Sequence, residues 1–263
     1  MKLVTVVYQP FRLLKFTRKI NGNFPQKLEE LTAKQIIAVA CLAKGAITDI
    51  GFLQAMTGIK KRILNKLDDY QRFILIELFT MFRSAKPYNE FIIKELHYFT
   101  RHLVAPNPRL KGMTFGQFIF ADTYFGDYQE SQKAEDLHHF VAALYLPKNK
   151  KFDEQLIEDN SPWIAKLDAV TLEAITINYH LIREWLSEVY PLVFLKEEES
   201  FDSAQDDKKQ PATKQGDGNG WIKIFEGIVG DDIINHDNYA NLPIHNVLRF
   251  MSHRIRENMK RKR

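Results

Sequence analysis

The spacing of apolar residues along the chain predicts a mainly α-helical protein. In several segments apolar side chains recur at intervals of three and four residues, as they do on the buried face of a helix. The pattern is clearest from Val170 to Tyr190, where two neighbouring apolar series form a broad face. Such a face predicts a helix buried in a bundle rather than half of a two-stranded coiled coil. The segment from Tyr70 to Phe82 is apolar on most of its circumference, and we expect it at the centre of the core.

Residues that favour helix ends set the boundaries of the other predicted helices. Thr32 is placed to cap a helix that Gly45 stops. Thr48 is placed to cap the next helix, which Gly58 ends. The remaining starts that the sequence predicts are Thr114, with Gln117 completing a capping box, for a helix to about Tyr124; Ser131; Ser161-Pro162; Trp221; and Asn241, with Pro243 in the first turn.

Two segments predict a small β element beside the helices. Lys2–Tyr8 reads KLVTVVY, an apolar and β-branched run typical of a strand. The segment from Phe91 to Leu103 mixes aromatic, β-branched and charged residues, and we interpret part of it as a strand that pairs with the N-terminal one. Asn21-Gly22-Asn23 and the following Pro25 predict a loop. The expected fold is therefore an irregular helical bundle with a small β element.

A polar stretch predicts how the chain is divided into domains. Residues 196–220 include only three apolar side chains, and these show no periodicity. Such a segment buries too little apolar surface to offset its loss of conformational entropy, so we expect it to be disordered. The predicted organisation is a helical body over 1–195, a disordered linker over 196–220 and a C-terminal helical module over 221–263.

The last predicted helix has two distinct faces. One is an apolar stripe, which we interpret as a docking surface either for the protein's own body or for the groove of a partner. The other is a basic stripe on the opposite side. The apolar stripe consists of Ile244, Val247, Leu248, Met251, Ile255 and Met259, and the basic stripe of Arg249, His253, Arg256, Lys260 and Arg263.

Charge is concentrated in this last helix. From Asn246 to Arg263 seven basic side chains accompany one acid, Glu257, a local net charge of +6 in a chain whose total is +4. The stripe is interpreted either as a contact for phosphates or an acidic protein, or as a solvated face that suits the negative end of the helix dipole. Only Phe250 is available nearby for stacking on bases, so base-specific recognition is not expected.

The composition is ordinary for a soluble globular protein, with 45% hydrophobic and 27% charged residues. Cys41 is the only cysteine, so no internal disulfide forms, and its apolar surroundings predict a buried, reduced thiol. The sequence shows neither a secretory signal nor an apolar run long enough for a membrane helix. We expect a cytoplasmic protein without a membrane partner.

Several clusters of acids and histidines resemble metal ligands only superficially. Asp231, Asp232, His236 and Asp237 offer carboxylate and imidazole groups, but an Asp- and Asn-rich turn between helices has the same composition. The remaining candidate ligands are the run Glu135–His139, whose adjacent histidines diverge on a helix, and His97 with His102, five residues apart. Glu77 is a separate case, a carboxylate that either loses hydration among apolar neighbours on its helix or marks an exposed helix edge. We predict no metal and no cofactor.

No catalytic signature is present, so the sequence predicts a protein that is not an enzyme. The glycines of 216–220 follow no strand and form no phosphate loop, and no G-x-S-x-G motif occurs.

Aromatic residues of one helix are expected to pack in the core, with an assembly surface as the alternative interpretation. These residues are Phe115, Phe118, Phe120, Tyr124 and Phe125.

Several phrases of the sequence resemble a known group of proteins. They are LTAKQIIAVACLA, FLQAMTGIKKRILNKL, LKGMTFGQFIFADTYFGDY, LHHFVAALYLPKNKKFD, AITINYHLIREWLSEVYPLVF, and the ending WIKIFEGIVGDD with NLPIHNVLRFMSHRI. Together they resemble helical proteins of phage and prophage structural regions, of the tail-protein or tail-assembly-chaperone kind. The resemblance implies a non-enzymatic virion or assembly role with protein partners, which include other phage structural proteins or further copies of the chain. The alternative hypothesis is a nucleic-acid-binding adaptor that uses the basic C-terminal helix.

Overall fold

A computed structural model of the chain describes residues 1–11, 15–80, 87–194, 219–230 and 235–261. The described residues are mainly helical with two small sheets, which confirms the predicted fold class. The elements are β1 Lys2–Tyr8, β2 Arg18–Phe24, α1 Ala33–Ala43, α2 Asp49–Thr57, α3 Lys61–Leu64, α4 Asp69–Thr80, β3 Glu95–Tyr98, β4 Arg101–Val104, α5 Phe115–Ser131, α6 Ala134–Leu144, β5 Leu146–Pro147, α7 Gln155–Ile164, α8 Ala169–Val189, α9 Asn219–Val229, α10 His236–Ala240 and α11 Ile244–Arg261.

The chain divides into two compact units. The first comprises Met1–Tyr88 and Asp168–Asn178, and the second comprises Asn89–Leu167 and Tyr179–Arg263. This division differs from the predicted separation of a body from a C-terminal module, because α9, α10 and α11 all pack against α5 of the second unit. The predicted linker lies outside the described residues, apart from the two positions that begin α9.

The first unit begins with an antiparallel pair of strands. β1 pairs with β2 over seven residues, from Lys2 opposite Phe24 to Tyr8 opposite Arg18. The predicted N-terminal strand is confirmed, but the loop predicted at 21–23 is wrong, since these residues lie in β2. Pairing with β1 overrides their turn preference, and the Thr5 hydroxyl lies 2.9 Å from the side-chain oxygen of Asn21.

Helix ends in the first unit follow their local signals. The Thr32 side chain accepts from the backbone N–H of Gln35, whose side chain reaches back to the Thr32 N–H, which completes a capping box. The Thr48 hydroxyl accepts from the Gly51 N–H at the start of α2. Gly58 ends α2 with a positive φ of 71°, a conformation that glycine adopts without a steric penalty. The predicted limits of α1 and α2 are confirmed.

The predicted central position of α4 is wrong. Its Tyr70, Phe73 and Ile74 are 73%, 56% and 44% exposed, whereas Leu75 is buried. Apolar residues lie on several sides of α4, and only one side faces the core of the first unit. Glu77 is exposed, in agreement with its interpretation as part of an exposed helix edge.

Cys41 of α1 is only partly buried, which corrects the expectation of a buried thiol.

The second unit contains the other sheet, which has the order β3-β4-β5. β3 and β4 form an antiparallel hairpin in which His97 is paired with His102 and Tyr98 with Arg101. The strand predicted within 91–103 is present, but its predicted pairing with the N-terminal strand is wrong. A turn of only two residues, Phe99 and Thr100, gives β3 a closer partner in its own sequence neighbourhood.

Helix starts in the second unit follow the predictions only in part. Thr114 caps α5 through the Gln117 N–H, but the Gln117 side chain donates to the Ala143 and Leu144 carbonyls at the end of α6 instead of completing a box. Because Phe125 and Tyr128 are buried and continue the packing of α5, the helix runs to Ser131, past the predicted end near Tyr124.

Three predicted helix boundaries in the second unit are wrong. Ser131 is the last residue of α5 rather than the cap of α6. Pro162 lies inside α7, two residues before its end, because the Asp153 carboxylate accepts from the Gln155 N–H and starts the helix earlier. Asn241 ends α10 with its side chain bonded to the Asp237 carbonyl. The long helix predicted from residue 170 to 190 is confirmed as α8.

Candidate functional site

The apolar stripe of α11 is largely used inside the second unit. Ile244 and Leu248 are fully buried, and Val247 and Met251 are almost completely buried. Ile255 is half-buried, and Met259 is 46% exposed. The first two turns of the helix therefore dock on the protein itself, one of the two modes that the sequence left open.

Backbone hydrogen bonds fix the start of α11 against the start of α5. The Phe115 N–H donates to the Leu242 carbonyl at 2.8 Å, and the Ile244 N–H donates to the Met113 carbonyl at 3.1 Å. Together they form a short antiparallel bridge between Thr114 and Pro243. The bridge holds the first residues of α11 beside the start of α5.

His245 fastens the first turn of α11 to two other segments. Its Nε2 lies 2.6 Å from the Arg109 carbonyl, which can only accept, so Nε2 holds a proton and donates. Its Nδ1 lies 2.8 Å from the Tyr190 hydroxyl, which donates to it in the neutral imidazole. Burial raises the pKa of Tyr190, which keeps that hydroxyl a donor.

A buried carboxylate joins α5, α8 and α9. Asp122 is 4% exposed. It accepts hydrogen bonds from the Tyr179 hydroxyl at 3.0 Å and from the Trp221 indole Nε1 at 2.7 Å. The Arg183 Nε lies 2.8 Å from Oδ1 and balances its charge. The Trp221 ring also contacts Phe194, with ring centroids 5.6 Å apart. The Arg183 Nε is buried and makes no well-directed hydrogen bond to any described residue, so its contact with Asp122 is an ion pair. The hydrogen bond from Trp221 holds α9 against α5.

The opposite face of α11 is cationic and exposed. Arg249, His253, Arg256 and Lys260 of the predicted basic stripe are all exposed, and Arg263 lies outside the described residues. The exposed Arg254 and Arg261 add to the same stretch of helix. Glu257, the only acid of α11, lies 3.2 Å from the Lys260 ammonium. With the apolar residues of its first two turns packed inward and its basic residues exposed, α11 presents an electropositive surface to solvent.

The β3–β4 hairpin brings together three side chains that can ligate a metal. Glu95 and His97 are two residues apart on β3, and His102 lies opposite His97 on β4. The Glu95 Oε2 is 3.2 Å from the Nε2 of His97 and 3.3 Å from the Nε2 of His102. The two rings stack with centroids 4.4 Å apart. Hydrogen bonding from His97 and the nearby His102 lower the pKa of Glu95, so it is a carboxylate.

The sequence singles out His97 and His102 as candidate ligands but not Glu95, although a signal for the whole cluster is present. Two histidines five residues apart are direct cross-strand partners whenever the two residues midway between them form the turn. Because side chains alternate along a strand, the residue two positions before the first histidine shares its face. Among the residues that the structure describes, Glu95, His97 and His102 are the one group in which three such ligands converge.

Aromatic and cationic side chains surround the tip of this hairpin. The Trp163 ring lies near the Arg101 guanidinium, at 5.1 Å, and the Lys166 ammonium, at 4.5 Å. Tyr98 packs at 6.3 Å from the same ring. Phe99 in the turn has a φ of 49° and is 90% exposed.

The acidic and histidine runs singled out in the sequence do not assemble a site among the described residues. Asp231 and Asp232 lie outside them. The His236 ring packs edge-on against Phe225 at 4.6 Å, and its Nδ1 is 3.9 Å from a carboxylate oxygen of Asp237.

In the Glu135–His139 run the two histidines have separate surroundings. Burial lowers the pKa of His138. The neighbouring His139 packs on Tyr124 with ring centroids 5.1 Å apart.

The aromatic residues of α5 divide between core and surface. Phe115, Phe118 and Phe125 are buried, as expected for core packing, which corrects their alternative interpretation as an assembly surface. Phe120 and Tyr124 are partly exposed.

Comparison with known proteins gives no relative from which a function can be transferred. No family model, curated protein or solved structure matches the chain. In the described part of the chain, every helix is too short or too polar to span a membrane.

Proposed function

We propose that this protein is a non-enzymatic binding protein that contacts nucleic acid through the cationic face of α11. The observation behind this proposal is that one face of α11 is buried in the protein and the opposite face is basic and exposed. The apolar residues from Ile244 to Met251 are buried in the second unit, while the basic residues from Arg249 onward are exposed. A helix held by one face and charged on the other suits binding to a regular array of phosphates.

The geometry favours backbone contact over base recognition. Arg249, Arg256 and Lys260 have long, exposed side chains that reach phosphate oxygens. Phe250 is 53% exposed and is the only aromatic residue of α11. Binding is therefore expected to be weakly dependent on sequence and strongly dependent on salt.

Titration of labelled DNA tests the proposal. The full chain is added to a fluorescent 20-nucleotide strand and to the matching duplex at 50 mM salt, and anisotropy is recorded. Charge reversal of Arg249, Arg256 and Lys260 to Glu is expected to weaken binding by at least about 100-fold. The matched control reverses Lys148, Lys150 and Lys151, three exposed lysines of the second unit. Equal losses in both triple variants, or no binding by the wild type, would reject the proposal.

A protein partner is the second candidate, and the end of the apolar stripe favours it. Ile255 is half-buried and Met259 is 46% exposed, so the stripe continues beyond the part that is docked. The phage-type assembly role implied by the sequence resemblance is one setting for such a partner, and no match to a known protein supports it. Light scattering of the wild type and of Met259→Asp tests the simplest case, a second copy of the chain. A wild-type oligomer that the substitution dissociates would support it.

A further inference from the structure

The register of the β3–β4 hairpin places three potential ligands on one face. Residues directly opposite each other in an antiparallel pair have neighbouring side chains, and positions two apart on one strand share a face. His97 is opposite His102, and Glu95 precedes His97 by two positions. The backbone of a short hairpin therefore preorganises one carboxylate and two imidazoles.

The distances match those between ligands of one metal ion. Nitrogen and oxygen ligands lie about 2.0–2.1 Å from zinc, so two ligands at a tetrahedral angle are about 3.3 Å apart. The Glu95 Oε2 is 3.2 Å from the His97 Nε2 and 3.3 Å from the His102 Nε2. The ligating atoms of all three residues lie within 4.8 Å of one another.

The imidazole of His102 has a ring nitrogen without a hydrogen-bond partner among the described residues. The Nε2 atom of His102 is shielded from solvent and makes no well-directed hydrogen bond to any residue that the structure describes. Its nearest charged neighbour is the Glu95 carboxylate. A shielded ring nitrogen that lacks such a bond is stabilised by coordination to a cation.

We propose that Glu95, His97 and His102 bind a divalent transition-metal ion of the zinc class. One carboxylate oxygen and two imidazole nitrogens form a borderline donor set, which suits Zn²⁺, Co²⁺, Ni²⁺ or Cu²⁺ better than Ca²⁺ or Mg²⁺. Three protein ligands leave at least one coordination position for water or for a group from a partner. Side-chain exposures of 63% for His97 and 50% for Glu95 give the ion access from solvent.

Bound metal would cross-link the two strands of the hairpin. His97 belongs to β3 and His102 to β4, and the exposed Phe99 lies in the turn between them. Coordination would restrict opening of this turn and the position of the aromatic ring at its tip. This inference is independent of the nucleic-acid contact proposed for α11.

Calorimetry and cobalt spectroscopy test the site on the full-length chain without a histidine tag. We expect one equivalent of Zn²⁺ to bind and one equivalent of Co²⁺ to give the visible absorption of a tetrahedral or five-coordinate site. His97→Ala, His102→Ala and Glu95→Gln are each expected to weaken binding about tenfold or more. Absence of binding by the wild type below millimolar Zn²⁺ would overturn the proposal.

A second histidine–glutamate pair provides the matched control. His180 and Glu184 lie 3.5 Å apart on α8, and the His180 side chain is 65% exposed, much like His97. His180→Ala is expected to leave Zn²⁺ binding unchanged, and an equal loss in this variant would reject the hairpin site. If the hairpin variants fail to fold, hydrogen exchange of the wild type tests whether Zn²⁺ binds at the hairpin. Added Zn²⁺ should slow exchange at residues 95–104, and unchanged exchange there would refute the site.

Discussion

The indole Nε1 of Trp221 donates to the Oδ2 atom of Asp122 over 2.7 Å, although 99 positions separate the two residues. Asp122 is buried in α5, and Trp221 lies in the first turns of α9. A hydrogen bond to a buried charged group contributes more to stability than one between neutral groups. This contact therefore links the C-terminal helices to the rest of the second unit.

Removing the indole N–H donor while keeping an aromatic ring tests that link. Trp221→Phe keeps an aromatic ring beside Phe118 but leaves Asp122 short of one partner. We expect the free energy of unfolding in urea to fall by about 1.5–3 kcal/mol. Trp163→Phe is the control, because Trp163 contacts Arg101 and Lys166 through its ring face. The free energy of unfolding should fall less in this variant than in Trp221→Phe. Equal losses would mean that the Asp122 bond contributes little.

The salt dependence of DNA binding reports how many phosphates α11 contacts. Each phosphate neutralised on a single strand contributes about −0.7 to the slope of log K against log salt concentration. Replacing Arg249, Arg256 and Lys260 by Gln should therefore make the slope shallower by about 2. Anisotropy titrations between 50 and 200 mM salt measure it. An unchanged slope would place the phosphate contacts elsewhere in the chain.

Two buried tyrosines predict a loss of stability at high pH. Burial raises the pKa of Tyr145, and burial with the adjacent Asp122 raises that of Tyr179, from an ordinary value near 10. Above pH 10 the unfolded chain releases these protons while the folded chain keeps them. Each tyrosine then lowers the free energy of unfolding by about 1.4 kcal/mol per pH unit until its folded-state pKa is reached.

Urea unfolding at pH values from 9 to 11.5 measures how steeply the free energy of unfolding declines as the pH rises. Tyr145→Phe, which also removes the 2.6 Å bond to the Ile93 carbonyl, should flatten the decline above pH 10. Tyr70→Phe is the control, since Tyr70 is 73% exposed, and it should keep the wild-type decline. If absorbance at 295 nm showed all ten tyrosines ionising before unfolding, the protection of the buried pair would be disproved.

Replacing two glycines by alanine is expected to change the stability of the protein in opposite directions. A Cβ atom at Gly22 would lie 2.7 Å from the Thr57 carbonyl oxygen and 2.8 Å from Ile59. Gly22→Ala is therefore expected to destabilise the first unit by about 1–3 kcal/mol, as overpacking does. Gly126 lies inside α5, where a Cβ atom meets nothing within 4 Å. Gly126→Ala should stabilise α5 by about 0.5–1 kcal/mol, and thermal unfolding compares the two variants.

Local interactions account for the parts of the fold that the sequence predicted well. Thr32 and Thr48 cap helices through residues only three positions away, so the signal and the structure lie in the same short segment. The same holds for the positive φ of Gly58. The apolar series of α8 is equally local, because helical spacing alone defines its face.

Long-range contacts explain the features that the sequence did not predict. Asn21, Gly22 and Asn23 favour turns in isolation, but β1 supplies a partner for each of them. The apolar residues of α4 indicate a helix without revealing which side meets the core, and Phe73 is more than half exposed. The sequence predicts Gln117 as half of a capping box, whereas its side chain donates to the carbonyl of Ala143, 26 positions later, in α6.

The two candidate sites differ in how much the sequence predicted. The 3.6-residue period of a helix places the basic residues of α11 on one face, and those that the structure describes are exposed there. Burial of Ile244 and Leu248 depends on the surface of α5, so the sequence alone is compatible with docking on the protein's own body or on a partner. The hairpin cluster required one further piece of information, the two-residue turn that sets Glu95, His97 and His102 on one face.

The contact between Phe194 and Trp221 has a consequence for how this chain can change in length. Their ring centroids are 5.6 Å apart, so Phe194 and Trp221 are two fixed points that lie side by side in the second unit. The entropic cost of joining two fixed points grows with the logarithm of the residues between them, and each doubling adds only about 0.6 kcal/mol. Because Phe194 and Trp221 lie side by side, lengthening the chain between them is expected to change the free energy of unfolding by about this small amount per doubling.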